Sequence, residues 1–312
     1  MLGQIYASEH RYENAVKHLE KAEELEPDSR EILTTLTASE MSNINLIIEE
    51  RSRDIGNFMV GRLLPFRKKR MVGPFIFIDH MGPKSLAKDE NLDVPPHPHI
   101  GLSTLTYLFE GEIIHKDSLG TEQLIKPGAV NWMTAGKGVI HSEMPEQTEG
   151  LVRGFQLWFN LPKEKKMIEP AYHDIQSDQI PVVEFEGGRV KVISGTFQGT
   201  TGPGRPHTGM MYLDIHLDSK QDITVPIAND WNGFVYVYEG SISANIGVPK
   251  GHLAVLDTKD DFLCSSSVEN TRLILVAGEP LNEPVARGGP FVMNTKGEVL
   301  QAFEDYQSGR LG

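Results

Sequence analysis

The sequence predicts an all-β chain built as two tandem antiparallel jelly-roll barrels, with a short helical segment in front and a helix at the end. Three observations carry this expectation. From about residue 45 to 281, short β-rich runs alternate with Gly, Pro, Asn and Asp turns. Helical periodicity is confined to residues 2–39 and to the closing Val299–Gln307 stretch, which is expected to pack across a barrel. The β-rich region is too long for one eight-stranded barrel, and its two halves share a hairpin-like signature.

The strand candidates, in order, are Phe75–Ile78, Leu105–Phe109, Gly154–Phe159, Val190–Ile193, Met211–Leu217, Phe234–Tyr238 and Leu273–Val276. The internal likeness lies in Leu105–Gly111 (LTYLFEG) and Phe234–Gly240 (FVYVYEG), apolar strands that each end in Glu-Gly. A turn-rich stretch follows each, Ile125–Val130 in the first half and Val248–Val255 in the second, as a duplicated barrel requires. The expected division is residues 1–40, then a first barrel at 41–170 and a second at 171–312.

Residues 1–40 have a different texture. Leu2, Gly3, Tyr6, Ala15, Leu19, Ala22 and Pro27 fall in register with the tetratricopeptide pattern, lacking its opening residues, and Arg30–Glu40 would begin the next helix. A single truncated repeat cannot bury its own apolar stripe, because such units are stabilised by their neighbours. It is the tail of a longer array, a helical hairpin packed on the body, or a gene-boundary segment ahead of Met41. No chemistry is assigned to it.

Composition narrows the function classes. Apolar residues make up 39% of the 312, charged residues 23% and the net charge is −13. A chain so acidic is repelled by phosphate backbones and anionic lipid, so neither nucleic acid nor membrane is expected as a partner. The single basic cluster, Arg67-Lys68-Lys69-Arg70, follows Pro65 and precedes an apolar run, and is read as a solvated loop. No run approaches the roughly 18 apolar residues of a membrane span, and no secretory leader pattern opens the chain, so the cytoplasm is the expected compartment. One cysteine, Cys264, excludes both a disulfide framework and a thiolate metal cage. Any metal must be held by His and carboxylate.

Five of the eleven histidines (His80, His97, His99, His115 and His141) lie between residues 80 and 141. In an extended chain, residues two apart face the same way, so His97 and His99 present both imidazoles to one side. Pro98 between them removes a backbone donor and stiffens the pair. His141-Ser142-Glu143 repeats the spacing with a nitrogen and a carboxylate. Together His97, His99, His141 and Glu143 make a compact four-ligand set suited to iron, manganese, copper, nickel or zinc and poor for calcium or magnesium.

These residues resemble a known family. Pro96–Tyr107 followed by Gly111 is similar to the first cupin motif, except that Thr104 stands about where cupins carry a Glu ligand. Gly136–His141 is similar to the second motif, with Glu143 supplying the displaced carboxylate in the manner of the pirin branch. The blocks His115–Gly120, Trp132–Gly136, His141–Pro145 and Gly289–Thr295 also resemble pirin, and the likeness runs from about Arg53 to Arg310. It implies a bicupin with one metal, iron expected, in the first barrel only. The second half agrees: His207, His216 and His252 form no His-x-His or His-x-Glu pair and are read as structural or surface residues. His80, His115 and Asp117 are weaker candidates for lining the cavity or orienting a ligand. Trp132, Met133 and Phe155 are expected as apolar walls of the site.

The resemblance implies a metal-dependent dioxygenase of the quercetin 2,3-dioxygenase type. A flavonol-like molecule and dioxygen would be the small-molecule partners, and Glu143 the general base. It also leaves open a non-catalytic, iron-binding regulator acting through protein contacts, because both readings need the same four ligands. A bicupin already contains its own pseudo-dimer, so a monomer is expected.

Overall fold

The computed structural model describes residues 43–55, 58–86, 94–146, 150–218 and 221–311. The tetratricopeptide-like segment at 1–40 lies outside them. The β-rich texture resolves into two barrels, each made of a seven-stranded and a four-stranded antiparallel sheet.

The strands of the first half are β1 (Asn43–Glu49), β2 (Arg51–Ile55), β3 (Phe58–Leu64), β4 (Phe75–Leu86), β5 (Val94–His99), β6 (Leu102–Glu110), β7 (Ile113–Asp117), β8 (Glu122–Ile125), β9 (Val130–Thr134), β10 (Val139–Pro145), β11 (Gly150–Asn160) and β12 (Ala171–Ile175). Those of the second half are β13 (Val182–Phe185), β14 (Gly188–Ser194), β15 (Thr196–Phe197), β16 (Thr200–Thr201), β17 (Met210–Leu217), β18 (Asp222–Val225), β19 (Asn232–Glu239), β20 (Ser241–Ser243), β21 (Gly247–Pro249), β22 (His252–Asp257), β23 (Phe262–Ser266) and β24 (Thr271–Gly278). A hairpin of β25 (Ala286–Gly288) and β26 (Phe291–Met293) and one helix, α1 (Lys296–Gln307), close the chain.

The duplication read from the sequence is exact in strand order. The large sheet of the first barrel runs β12-β9-β6-β11-β4-β3-β2, and that of the second β1-β22-β19-β24-β17-β14-β13. The small sheets run β5-β10-β7-β8 and β18-β23-β20-β21. The two LTYLFEG-like segments, β6 and β19, hold the same place in their sheets. Sheet membership crosses the boundary expected at 170/171, however. Strand β1 pairs with β22 of the second barrel, and β12 pairs with β9 of the first.

Side-chain alternation sets where the cores sit. One face of each large sheet meets the other in a shared aromatic-rich core that includes Leu105, Tyr107, Trp132 and Phe155 from the first barrel and Tyr212, Phe234, Tyr236 and Tyr238 from the second. The opposite faces point into the barrels. The second barrel is filled by aliphatic and aromatic residues such as Val192, Leu213, Ile215, Val235, Leu275 and Phe262. The first barrel buries polar residues instead, among them Thr104, Thr106, Asn131, Asp79, His99, His115, His141 and Glu143. Imidazole and carboxylate groups of this kind are what an ion would need.

The C-terminal segment packs on the first barrel. Phe291, Met293, Val299, Ala302 and Leu311 cluster with Ile100, and Phe291 bridges to Ile100 beside the end of β5. Helix α1 is started by Thr295, whose hydroxyl accepts from the Glu298 amide while the Glu298 carboxylate accepts from the Thr295 amide. Among the described residues no helix is long and apolar enough to cross a membrane. The Arg67–Arg70 cluster lies in the connection between β3 and β4, with Arg67, Lys68 and Arg70 exposed.

Candidate metal centre

Three adjacent strands of the small sheet in the first barrel each bring a pair of side chains at spacing two. Strand β5 carries His97 and His99, β10 carries His141 and Glu143, and β7 carries His115 and Asp117. Cross-strand register puts His141 opposite His97 on one side and opposite Asp117 on the other, and Glu143 opposite His115. A bulge in the β5–β10 pairing falls between His141 and Glu143.

The imidazoles of His97, His99 and His141 converge. Their ring centroids are 4.4, 4.9 and 5.0 Å apart, and one nitrogen from each lies within 4.8 Å of the other two. Glu143 belongs to a second group, with His141 and His115, so His141 is common to both. His99, His141 and Glu143 are buried and His97 is half-buried, which leaves its side as the open edge.

Hydrogen bonds fix which nitrogen each ring can offer. His97 Nδ1 lies 2.9 Å from the Pro95 carbonyl, and His99 Nδ1 lies 3.4 Å from the Pro290 carbonyl. A carbonyl oxygen only accepts, so Nδ1 carries the proton and Nε2 keeps its lone pair. His141 Nε2 is buried and has no hydrogen-bond partner among the described residues. A buried unpartnered nitrogen is costly unless something else binds it. Burial pushes His99 down to about 3, with neighbouring His97 adding to the effect. Burial likewise holds His141 well below the ordinary histidine range, reinforced by His99, His97 and His115. Both rings are therefore neutral at physiological pH, as ligands must be. Three converging imidazoles beside a carboxylate are a donor set that fits a borderline divalent ion. His97, His99, His141 and Glu143 could hold one.

The surroundings correct several expectations. Trp132 and Phe155 belong to the core between the barrels and do not wall the site; Met133, on the opposite face of β9, is opposite Thr104 in the register. The aromatic residue against the imidazoles is Trp158, edge-on to His99 at 4.7 Å and stacked on Phe77 at 4.2 Å. His80 also lies between the barrels, where its Nδ1 is 2.8 Å from Tyr236 Oη. His216 joins Asp214 and Tyr238 there, His207 reaches Thr134 Oγ1, and His252 Nδ1 meets the Lys250 carbonyl. Sequence reading did not single out Thr106 and Gln156, which hold Glu143. The Thr106 hydroxyl donates to Oε1 at 2.7 Å and the Gln156 amide to Oε2 at 2.6 Å. The available signal was a polar residue at an alternating position of an otherwise apolar strand.

In the second barrel the same framework carries apolar side chains. Strands β18 and β23 stand where β5 and β10 stand in the first, and they fill its interior with Ile223, Val225, Phe262 and Cys264.

Residues 57–159 match the Pirin family, and residues 212–312 match the Pirin C-terminal cupin domain. The chain belongs to the pirin family. A pirin-like protein of Caulobacter vibrioides is 39% identical over 270 residues, covering 86% of this chain and 98% of that protein. A pirin-like protein of Arabidopsis thaliana is 40% identical over 256 residues, 78% of this chain and 81% of that one. Among solved structures, a quercetin 2,3-dioxygenase from Acinetobacter baumannii superposes with a TM-score of 0.83 at 31% identity, over 87% of this chain and 99% of the other. The bicupin architecture is thus common to this chain and its pirin relatives, and a small-molecule oxygenase is among its structural neighbours.

Proposed function

We propose that this pirin is a metal-dependent dioxygenase of the quercetin 2,3-dioxygenase type, with one divalent ion, iron expected, held by His97, His99, His141 and Glu143. The observation that carries the proposal is the convergence of three imidazoles in a polar barrel, beside a carboxylate aimed by two donors. The likeness to the Acinetobacter quercetin dioxygenase supports the substrate class.

When bound, the ion would supply Lewis-acid activation of an enolic hydroxyl and a meeting point for that substrate and dioxygen. The chain's own groups do the rest. Glu143 takes the hydroxyl proton at a carboxylate oxygen, and Thr106 and Gln156 keep that carboxylate from turning away. Trp158 and Phe77 form an apolar wall behind His99 that limits bulk water. The half-buried His97 edge is the side from which a planar phenolic substrate enters.

Anaerobic loading with iron, manganese, copper or nickel, followed by measurement of oxygen uptake and carbon monoxide release with quercetin, tests this reading. Turnover that disappears in Glu143→Gln while metal is retained is the expected result. Metal binding with no flavonol turnover under any of the four ions would instead favour the iron-binding regulator.

A further inference from the structure

The third pair on the small sheet, His115 and Asp117, is not needed to hold an ion, yet both side chains are completely buried. Asp117 Oδ2 lies 3.0 Å from His115 Nε2. A carboxylate accepts, so Nε2 of a neutral His115 carries the proton and its Nδ1 holds a lone pair. That Nδ1 lies 3.5 Å from His141 Nδ1. With His115 accepting, His141 must donate from Nδ1, which leaves the lone pair on its buried Nε2, unpartnered among the described residues. Tyr172 stacks on His115 with ring centroids 4.7 Å apart and covers this chain of contacts.

We infer that Asp117 and His115 are positioning residues that set the tautomer of His141, so that its Nε2 is delivered to the metal as a lone pair. The inference rests on the metal-centre reading above and adds a protein-built selector to it. For His97 and His99 the same task falls to the backbone carbonyls of Pro95 and Pro290. Among the described residues His141 has no such carbonyl contact, and a two-residue relay takes its place.

The turn that follows makes the inference sharply testable. Asp117 Oδ1 accepts from the amides of Leu119 at 2.9 Å and Thr121 at 3.0 Å. In Asp117→Asn the amide oxygen must stay on those two donors, so the NH2 is forced onto His115 Nε2. His115 then has to carry its proton on Nδ1 and donate to His141 Nδ1. His141 in turn becomes protonated on Nε2, which blocks the lone pair. The substitution is isosteric and keeps the turn, yet it inverts both rings.

The test is two-bond 15N–1H NMR of the metal-free, 15N-histidine-labelled protein at pH 8, with His115→Gln and His141→Gln for assignment, together with zinc affinity by chelator competition. The expected wild-type spectrum shows His141 protonated on Nδ1 and His115 on Nε2. Asp117→Asn is expected to exchange both patterns and to weaken zinc about 10- to 100-fold. A wild-type spectrum with His141 protonated on Nε2, or with His115 doubly protonated, overturns the relay whatever the variant does. An unchanged Asp117→Asn spectrum overturns it too. Exchanged tautomers with unchanged zinc affinity would leave the relay's proton order standing and instead remove His141 from the ligand set, and with it the metal-centre reading.

Discussion

Tyr107 Oη donates to Asp214 Oδ2 at 2.7 Å across the seam between the two barrels. Asp214 is buried and also accepts from Tyr238 Oη at 2.6 Å, with His216 Nε2 3.2 Å away. Burial alone would raise this carboxyl, but His216 and the two phenols more than offset it and hold it below the ordinary aspartate range. A buried anion so placed ties the sheets together only while its donors remain. Tyr107→Phe is expected to lower stability by about 1.5–3 kcal/mol, the usual worth of a hydrogen bond to a charged group. Asp214→Ala, which strands two buried hydroxyls, should cost about 3–5 kcal/mol. Urea denaturation of both variants checks the order; equal effects would place the stabilisation elsewhere in the seam.

Glu143 is held from the opposite sheet, so its aim can be disturbed without touching an imidazole. Thr106→Val and Gln156→Leu each remove one donor while keeping volume. Turnover is expected to fall by roughly 10²-fold, in the range of a misplaced general base. Metal affinity should change by far less, since three histidines remain. Steady-state oxygen uptake beside metal titration separates the two effects, and a parallel loss of both would make the pair metal-supporting rather than base-aiming.

The histidine pairs were legible because strand geometry forces residues two apart onto one face, and the structure brings His97, His99 and His141 together as spacing implies. In the second barrel the corresponding strands carry Ile223, Val225, Phe262 and Cys264 where the first carries its imidazoles. What spacing cannot supply is sheet membership. The alternation along β9 and β11 shows that Trp132 and Phe155 lie on the face opposite Met133 and Trp158, but not which face looks into the barrel. That is set by the packing of one large sheet on the other. Nor can spacing show that Pro290, far along the chain, returns to meet His99. The hydrophobic cluster of Phe291, Val299 and Ile100 creates that contact.

The returning segment is clamped by a buried lysine. Lys166 Nζ donates to the Gly101 carbonyl at 2.9 Å, Asn160 Oδ1 at 2.6 Å and the Val292 carbonyl at 2.8 Å, and burial pulls its ammonium down to about 8. Gly101 has φ +74°, and a Cβ there would run into the Val292 carbonyl. Lys166→Met is therefore expected to raise hydrogen exchange of the 291–293 amides and to expose residues 286–311 to protease, while the rest of the barrel stays protected. Gly101→Ala should do the same more severely. Exchange confined to α1 would mean that the helix frays independently of the clamp.

The metal-free protein should lose stability as pH falls below about 6.5, the ordinary value for an unfolded histidine. The sign follows from His99 and His141, whose folded values are pushed to about 3 and well below normal. Between pH 6.5 and 3 the unfolded chain binds protons that the folded one refuses, so unfolding is favoured as acid is added. Above 6.5 both states are neutral and the contribution is fully present. From pH 7 to 5, His99 alone should account for about 2 kcal/mol. Urea midpoints of the metal-free wild type and His99→Gln at the two pH values isolate its share, because carboxylates and other histidines titrate alike in both proteins. The wild type should show the steeper loss. Parallel slopes would mean that His99 is readily protonated in the folded state, and a ring so easily charged would be a poor ligand at neutral pH.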